Sequence, residues 1–265
     1  MAGYFTEDSI IRSVHREQVV ALSGPRALLM QAAHPVAFAG FFMSTGALED
    51  PYPRLRRTAN VLHTIVFGER AAADRATSRV RHVHRRVRGT LPETVGRFPA
   101  GTPWAADDPE LLLWILATLV DSALLVHDRY VRVLRPDERD AYWADYRIVG
   151  SLFGLSERDM PATIGELNDY IAHTLDSGDL YVSPQARELA IEIVLRPPVP
   201  LKARPLLELA NFITVGLLPA DLRRQYGLPW DPVRGLMLRV GAEYTRRVLV
   251  PVLPQRVRRR AVHAA

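Results

Sequence analysis

A chain of 265 residues that is 48% hydrophobic can bury a substantial core, as one large domain or two fused lobes. It contains no cysteine, which excludes disulfides, thiolate metal ligation and zinc–cysteine sites. The formal charge of +5 invites a nucleic-acid reading. However, the basic residues are arginine apart from Lys202 and are spread along the chain, not gathered with aromatics on one recognition helix, so nucleic acid is not an expected partner.

In chain order the periodicity is helical almost throughout, with proline as punctuation. A first helix is expected from about Asp8 to Leu22, closed by Ser23-Gly24-Pro25, and a second from Arg26 to Ala33. Pro35 biases His34 out of helical geometry, and Pro35 to Met43 is small and apolar, suited to close helix packing or to the floor of a ligand pocket. Asp50-Pro51-Tyr52-Pro53 forms a turn that launches a helix at Arg54, and a further helix starts near Ala71 or Asp74 and runs to Gly89. Asp107 or Asp108 caps a long helix from Pro109 to Tyr130. Its apolar run, Leu111 to Val126, is interrupted by Asp121 and Ser122 and is short for a bilayer span, so it reads as a buried central helix.

Asp137 opens a helix over Glu138–Phe153, Pro161 starts one reaching about Leu175, and Ser183-Pro184 caps one reaching Leu195. After a proline-rich bend from Arg196 to Pro205, Leu206–Leu217 and Asp231–Leu249 complete the helices. Strand-like alternation is nearly absent. The expected fold is all-α: one helical domain over residues 1–265, of roughly ten helices, with a basic tail from about residue 250. Residues 1–20 lack a basic start and apolar run, so no signal peptide and a cytoplasmic location are expected. Arg256 and Arg258 to Arg260 follow the apolar Val248–Val252, as a solvated tail or as a peripheral contact with an anionic membrane surface.

Arg54, Arg57 and Thr58 stand at i, i+3 and i+4, so two guanidiniums and a hydroxyl share one helical face. In the next helix Ala73, Ala76, Val80, Val83 and Val87 form an apolar stripe that should face the core. His84 lies on that stripe, whereas His82 falls on the far side among Arg79, Arg85 and Arg86. An inward imidazole close to anion-binding arginines suits an iron porphyrin. A lone histidine on an apolar face is more often a satisfied core residue, and the residues by themselves leave both readings open. His34 reads either as a second ligand or proton donor, or as a cap on a helix end. Asp107 and Asp108 have the spacing of caps, and Glu166, Asp169 and Tyr170 that of a solvated face. Trp114 reads as core packing. Zincin, nucleophile-elbow, phosphate-loop and dinucleotide motifs are missing.

Several segments form an ordered set: Gly24-Pro25-Arg26-Ala27-Leu28-Leu29-Met30-Gln31-Ala32-Ala33-His34-Pro35, Asp50-Pro51, Arg54 to Thr58, Phe67-Gly68, His84 to Gly89, Ala106-Asp107-Asp108-Pro109 with Leu113-Trp114, and Leu217-Leu218-Pro219 with Arg223 and Tyr226-Gly227-Leu228. Over most of residues 10–245 this set resembles the catalytic domain shared by the rubber oxygenases (latex-clearing proteins) and the endoplasmic-reticulum-bound oxygenase mpaB. The resemblance implies an all-helical fold with a buried, haem-sized pocket for haem b, the proximal iron ligand on His84, and the distal arginine and threonine on Arg54 and Thr58. Arg57 and His34 complete the expected cofactor surroundings.

Two departures bear on chemistry. The rubber-cleaving enzymes carry a lysine able to reach the iron where this chain has Arg57, and a guanidinium stays protonated and cannot ligate. They also place a carboxylate base upstream of the arginine, whereas Pro35 to Ala47 holds no acid. The resemblance therefore implies a haem-dependent oxygenase using dioxygen or peroxide on a small hydrophobic substrate, isoprenoid or unsaturated lipid-like, with Phe38, Leu62 and Ile65 as apolar lining. Two alternatives stand beside it: a haem-binding carrier or sensor without turnover, and an apo helical lipid-binding protein in which His84 is buried and satisfied.

Overall fold

Proline and small polar caps set the helix starts in the computed structural model, which describes residues 3–40 and 51–259. In chain order the helices are α1 (Ile10–Arg16), α2 (Ser23–Ala32), α3 (Pro35–Phe38), α4 (Tyr52–Phe67), α5 (Arg70–His84), α6 (Pro109–Tyr130), α7 (Pro136–Phe153), α8 (Ile164–Asp176), α9 (Pro184–Ala190), α10 (Arg204–Leu217), α11 (Ala220–Gln225), α12 (Pro232–Tyr244), α13 (Val250–Val252) and α14 (Gln255–Arg258). Proline occupies the first turn of α3, α4, α6, α7, α9, α10 and α12, where its missing N–H would have had no helical partner. Asp108, Thr163, Ser183 and Asp231 accept backbone N–H groups at the starts of α6, α8, α9 and α12. The fold is all-α, and the one sheet among the described residues is a two-stranded hairpin, β1 (Arg88–Thr90) with β2 (Pro103–Ala105).

The central helix is α6. Leu113, Leu116, Ala117, Val120 and Ala123 join a core with Ile11, Ile65, Tyr142, Trp143 and Leu167 from α1, α4, α7 and α8. From another side Trp114 enters a second core with Leu29, Met30, Leu222 and Tyr226. Val126 and Tyr130 meet Ile213, Leu217 and Ala242 of α10 and α12. Length and hydropathy would let α6 cross a membrane, but more than half of its apolar window is buried in the protein, as in the core helix of a globular fold.

Three of the differences from the sequence expectation have a visible reason. The first helix breaks at Glu17, which turns extended, and Ser23-Gly24-Pro25 starts α2 instead of ending its predecessor. Helix α5 ends at His84, not Gly89, because the chain then enters the hairpin. The tail is not free as far as Arg259. Arg258 donates two 2.8 Å bonds to the Glu17 carboxylate and Arg259 a third at 3.2 Å, while Glu17 is itself buried. Glu17 leaves helical geometry where it meets these two arginines, so first and last elements are clasped together. Beneath the clasp a cavity of about 270 Å³ is lined by Glu17, His127, Arg132, Arg246, Arg258 and Arg259. Arg260 lies outside the described residues.

Arg26, only 4% exposed, ties three helices together. Its Nε donates to the Leu217 carbonyl at 2.7 Å, and Nη1 donates to Asp121 at 2.6 Å and to Ser122 at 2.7 Å. One turn and a half further on, Gln31 donates to Thr118 at 2.8 Å, and Tyr226 donates to the Leu29 carbonyl at 2.7 Å.

Two outcomes are expected. Arg26→Ala leaves Asp121 and the Leu217 carbonyl without their partner and should lower unfolding free energy by about 3–5 kcal/mol in urea titrations; a change of a few tenths would show that the cation is peripheral to stability. His127, 2% exposed, has its pKa lowered from 6.5 to about 4, first by burial and then by Arg132. A depressed native pKa means the unfolded chain takes up the proton first, so stability is lost as pH falls from 6.5 and levels off below 4. The loss at pH 4 is about 3 kcal/mol at one and a third per pH unit. The pH profile of His127→Phe subtracted from wild type should isolate it, and parallel profiles would refute it.

Candidate functional site

Helices α4 and α5 pack against each other, which brings the start of one toward the end of the other. Arg54 stands in the first turn of α4 and is half-buried; His84 is the last residue of α5 and also half-buried. Burial lowers the His84 pKa, the Arg54 guanidinium lowers it further, and Asp107 opposes both. The imidazole is therefore held neutral, the state in which it can donate a lone pair. Its Nδ1 is buried and has no hydrogen-bond partner among the described residues. Arg54 in turn has its pKa lowered by burial and by the neighbouring Arg57.

The stripe that selected His84 holds only in part. Ala73 is fully buried, Ala76 and Val80 are half-buried, and Thr77 joins them on the inward face. Val83 is 52% exposed, and Val87 lies beyond the helix in the turn to β1. His82 is exposed, as its place among the arginines suggested. His84 keeps its inward side because it sits one turn beyond Val80.

Beyond His84 the path of the chain is shaped by Trp104. The hairpin register pairs Gly89 with Trp104, and a Cβ at Gly89 would lie 2.8 Å from the indole ring, so only glycine lets β1 cross it. Trp104 packs with Val36, Ala39 and Leu91, flanked by Val87 and Phe98, and its Nε1 is a second buried donor without a partner. The adjacent acids beyond β2 divide between two tasks. Asp108 caps α6, accepting from the Glu110 N–H at 2.9 Å, and its charge acts on His34. Asp107 does not cap; it lies 3.7 Å from Arg88 and its charge acts on His84.

His34 is a cap, though of the helix after it. Its Nδ1 accepts the Ala37 N–H at a long 3.4 Å, at the start of α3, and its ring leans on Phe98 with centroids 5.4 Å apart. Burial pushes its pKa down to about 4, against the pull of Asp179. No hydrogen bond or ring contact joins it to His84.

Arg57 and Thr58 are exposed, and the Thr58 hydroxyl donates to the Arg54 carbonyl at 3.2 Å, inside its own helix. The structure thus brings Arg54 and His84 together and leaves Thr58 bonded to α4. The three apolar residues expected to share a lining are divided. Ile65 and Leu62 pack with the α1–α6–α7 core, and Phe38 packs with the core around Trp114. Phe41 to Met43, part of the expected pocket floor, lie outside the described residues. Asp107 and Trp104 are the site residues that sequence reasoning missed. Asp107 looked like a cap because both acids precede Pro109, and a three-residue strand is too short to announce Trp104 by alternation.

Neither a curated protein nor a solved structure matches the chain significantly. The family described as ER-bound oxygenase mpaB/B'/Rubber oxygenase, catalytic domain, matches residues 12–260, from α1 to the end of the clasped tail. A match over nearly the whole chain, on an all-α fold, supports an oxygenase-type function. This chain belongs to the mpaB/rubber oxygenase catalytic-domain family.

Proposed function

We propose that this chain is a haem b-dependent oxygenase acting on a small hydrophobic substrate. The observation that carries the reading is the His84 imidazole: neutral, with a buried and unpartnered ring nitrogen, beside the Arg54 guanidinium. The donor set fits a porphyrin better than a bare ion. Among the described residues no group of three or more histidines and carboxylates could hold a bare metal ion, whereas a porphyrin supplies most of its iron's donors itself and would need only one from the protein. In this reading His84 would ligate the iron and Arg54 would pair with a propionate carboxylate. Bound there, haem would supply one-electron chemistry with dioxygen or peroxide.

The chain's own residues do the rest. Burial and Arg54 keep the imidazole neutral, against the opposing charge of Asp107. Trp104, seated on Gly89, walls the hairpin side with apolar surface. His34, neutral and next to Phe98, is the available proton carrier, since Pro35 to Ala47 has no acid. Without that base a short isoprenoid or unsaturated acyl chain is a better substrate than polyisoprene. One observation favours a second reading, a haem-binding carrier or sensor without turnover: the Thr58 hydroxyl is spent on the Arg54 carbonyl.

Titration of the purified chain with haemin should give a one-to-one Soret band. His84→Ala should abolish it while the helical circular dichroism persists, and Arg54→Gln should weaken haem binding by one to two orders of magnitude, the worth of a charge-assisted hydrogen bond, about 1.5–3 kcal/mol. No Soret band, or His84→Ala binding haem like wild type, would sink the proposal; loss in His34→Ala instead would move the ligand to His34. Oxygen uptake with an unsaturated lipid separates oxygenase from carrier, and release of oligo-isoprenoid aldehydes from latex would overturn the small-substrate assignment.

A further inference from the structure

Helix α12 carries its apolar residues on the outside. Val233, Leu236, Met237, Val240 and Tyr244 follow helical spacing and fall within an arc of about 100°, opposite the buried Ala242. Val233, Met237 and Val240 are 66%, 60% and 59% exposed, and the others are more than half exposed. The inward face is already committed. Leu238 and Ala242 join Ile213 and Leu217 of the antiparallel α10, and Gly216 lets Leu238 and Trp230 approach so closely that a Cβ there would overlap both. Beyond α12 the chain also exposes Val248 and Leu249. Contiguous exposed apolar surface of this kind marks an interaction site.

The charges beside it select the occupant. From Asp231 to Leu249 the chain has Arg234, Arg239, Arg246 and Arg247 against only Asp231 and Glu243. Arg234 and Arg239 are exposed on the two flanks of the stripe, and both acids are already in ion pairs with arginines. An anionic bilayer complements both features, since it accepts the apolar stripe below the headgroups and the arginines among them, with Tyr244 at the polar boundary.

We propose that the outward face of α12 is a peripheral docking surface for anionic lipid membranes. This goes beyond the oxygenase reading and holds whether or not haem binds.

The test is flotation of the full chain with vesicles of phosphatidylcholine alone or mixed with phosphatidylserine, run at low and high salt. We expect binding to the phosphatidylserine vesicles, little to the neutral ones, and weakening by salt. Met237→Glu with Val240→Glu should reduce the bound fraction about tenfold or more at unchanged circular dichroism, since both side chains already face solvent. Arg234→Gln with Arg239→Gln should lower binding to anionic vesicles only, and His84→Ala should bind as wild type. Equal binding to both vesicle types, no binding to either, or undiminished binding by the Met237/Val240 variant would each overturn the proposal. So would light scattering that shows a wild-type dimer which Met237→Glu dissociates, since the stripe would then belong to a second copy of the chain.

Discussion

A buried guanidinium organises the centre of this protein. Arg26 points from α2 into the seam between α6 and α10, where it meets a carboxylate, a hydroxyl and a backbone carbonyl. Taking that charge out of water is worthwhile only if all three acceptors are in place, so the pair acts less as a source of stability than as a condition on how the three helices sit. Asp121 and Ser122, which interrupt the apolar run of α6, are the acceptors the interruption provides. Once α2 is held there, Gln31 meets Thr118 on the same helix of the core, and Leu29 presents its carbonyl to Tyr226. The end of α2 then delivers His34 to the start of α3.

The candidate site is placed by a different constraint, the close crossing of Gly89 and Trp104. Had α5 continued helically to Gly89, His84 would be one more residue on a long stripe. Because the chain leaves the helix at Arg85 and pairs with β2, His84 becomes a terminal residue facing the start of α4, and the turn after β2 brings Asp107 into range. Two consecutive acids thereby influence two different histidines, Asp107 on His84 and Asp108 on His34, with the Trp104 cluster close to both. The site is basic at one edge and acidic at the other, which keeps the imidazole neutral without leaving it free of a proton acceptor's field.

Much of the fold was legible because it is local. Helical period, proline at first turns and side-chain caps mark α6, α7 and α10 close to their observed limits and the starts of α9 and α12, whose last five expected residues are π-helical, and the same period selects His84 over His82. The illegible part is long-range. Nothing at Glu17 announces that it will break a helix to meet Arg258, more than two hundred residues away. Ser23-Gly24-Pro25 reads equally as the end of one helix and the first turn of the next, and only the break at Glu17 decides between them. The hairpin is missed because three residues a strand cannot show alternation. The grouping of Phe38, Leu62 and Ile65 failed for a similar reason: an apolar residue in a helix says that it is buried but not in which of several cores.

The exposed stripe on α12 arises from the same packing and is not a defect of it. Turning the helix to hide Met237 would bring Arg234 or Arg239 toward α10 and lift Ala242 and Leu238 out of the seam that Gly216 opens for them. Sliding it is opposed at its far end. There Arg246 is bonded to Glu243 and reaches the Asp128 carbonyl, and the chain beyond is anchored by Arg258 and Arg259 on Glu17. The inward face of α12 is therefore fixed by small residues and a clasp, and its orientation leaves the opposite face in solvent. A sequence that only needed solubility would place polar residues at positions 236, 237 and 240, all more than half exposed. That they are leucine, methionine and valine, between arginines, is the reason to look for a lipid surface there.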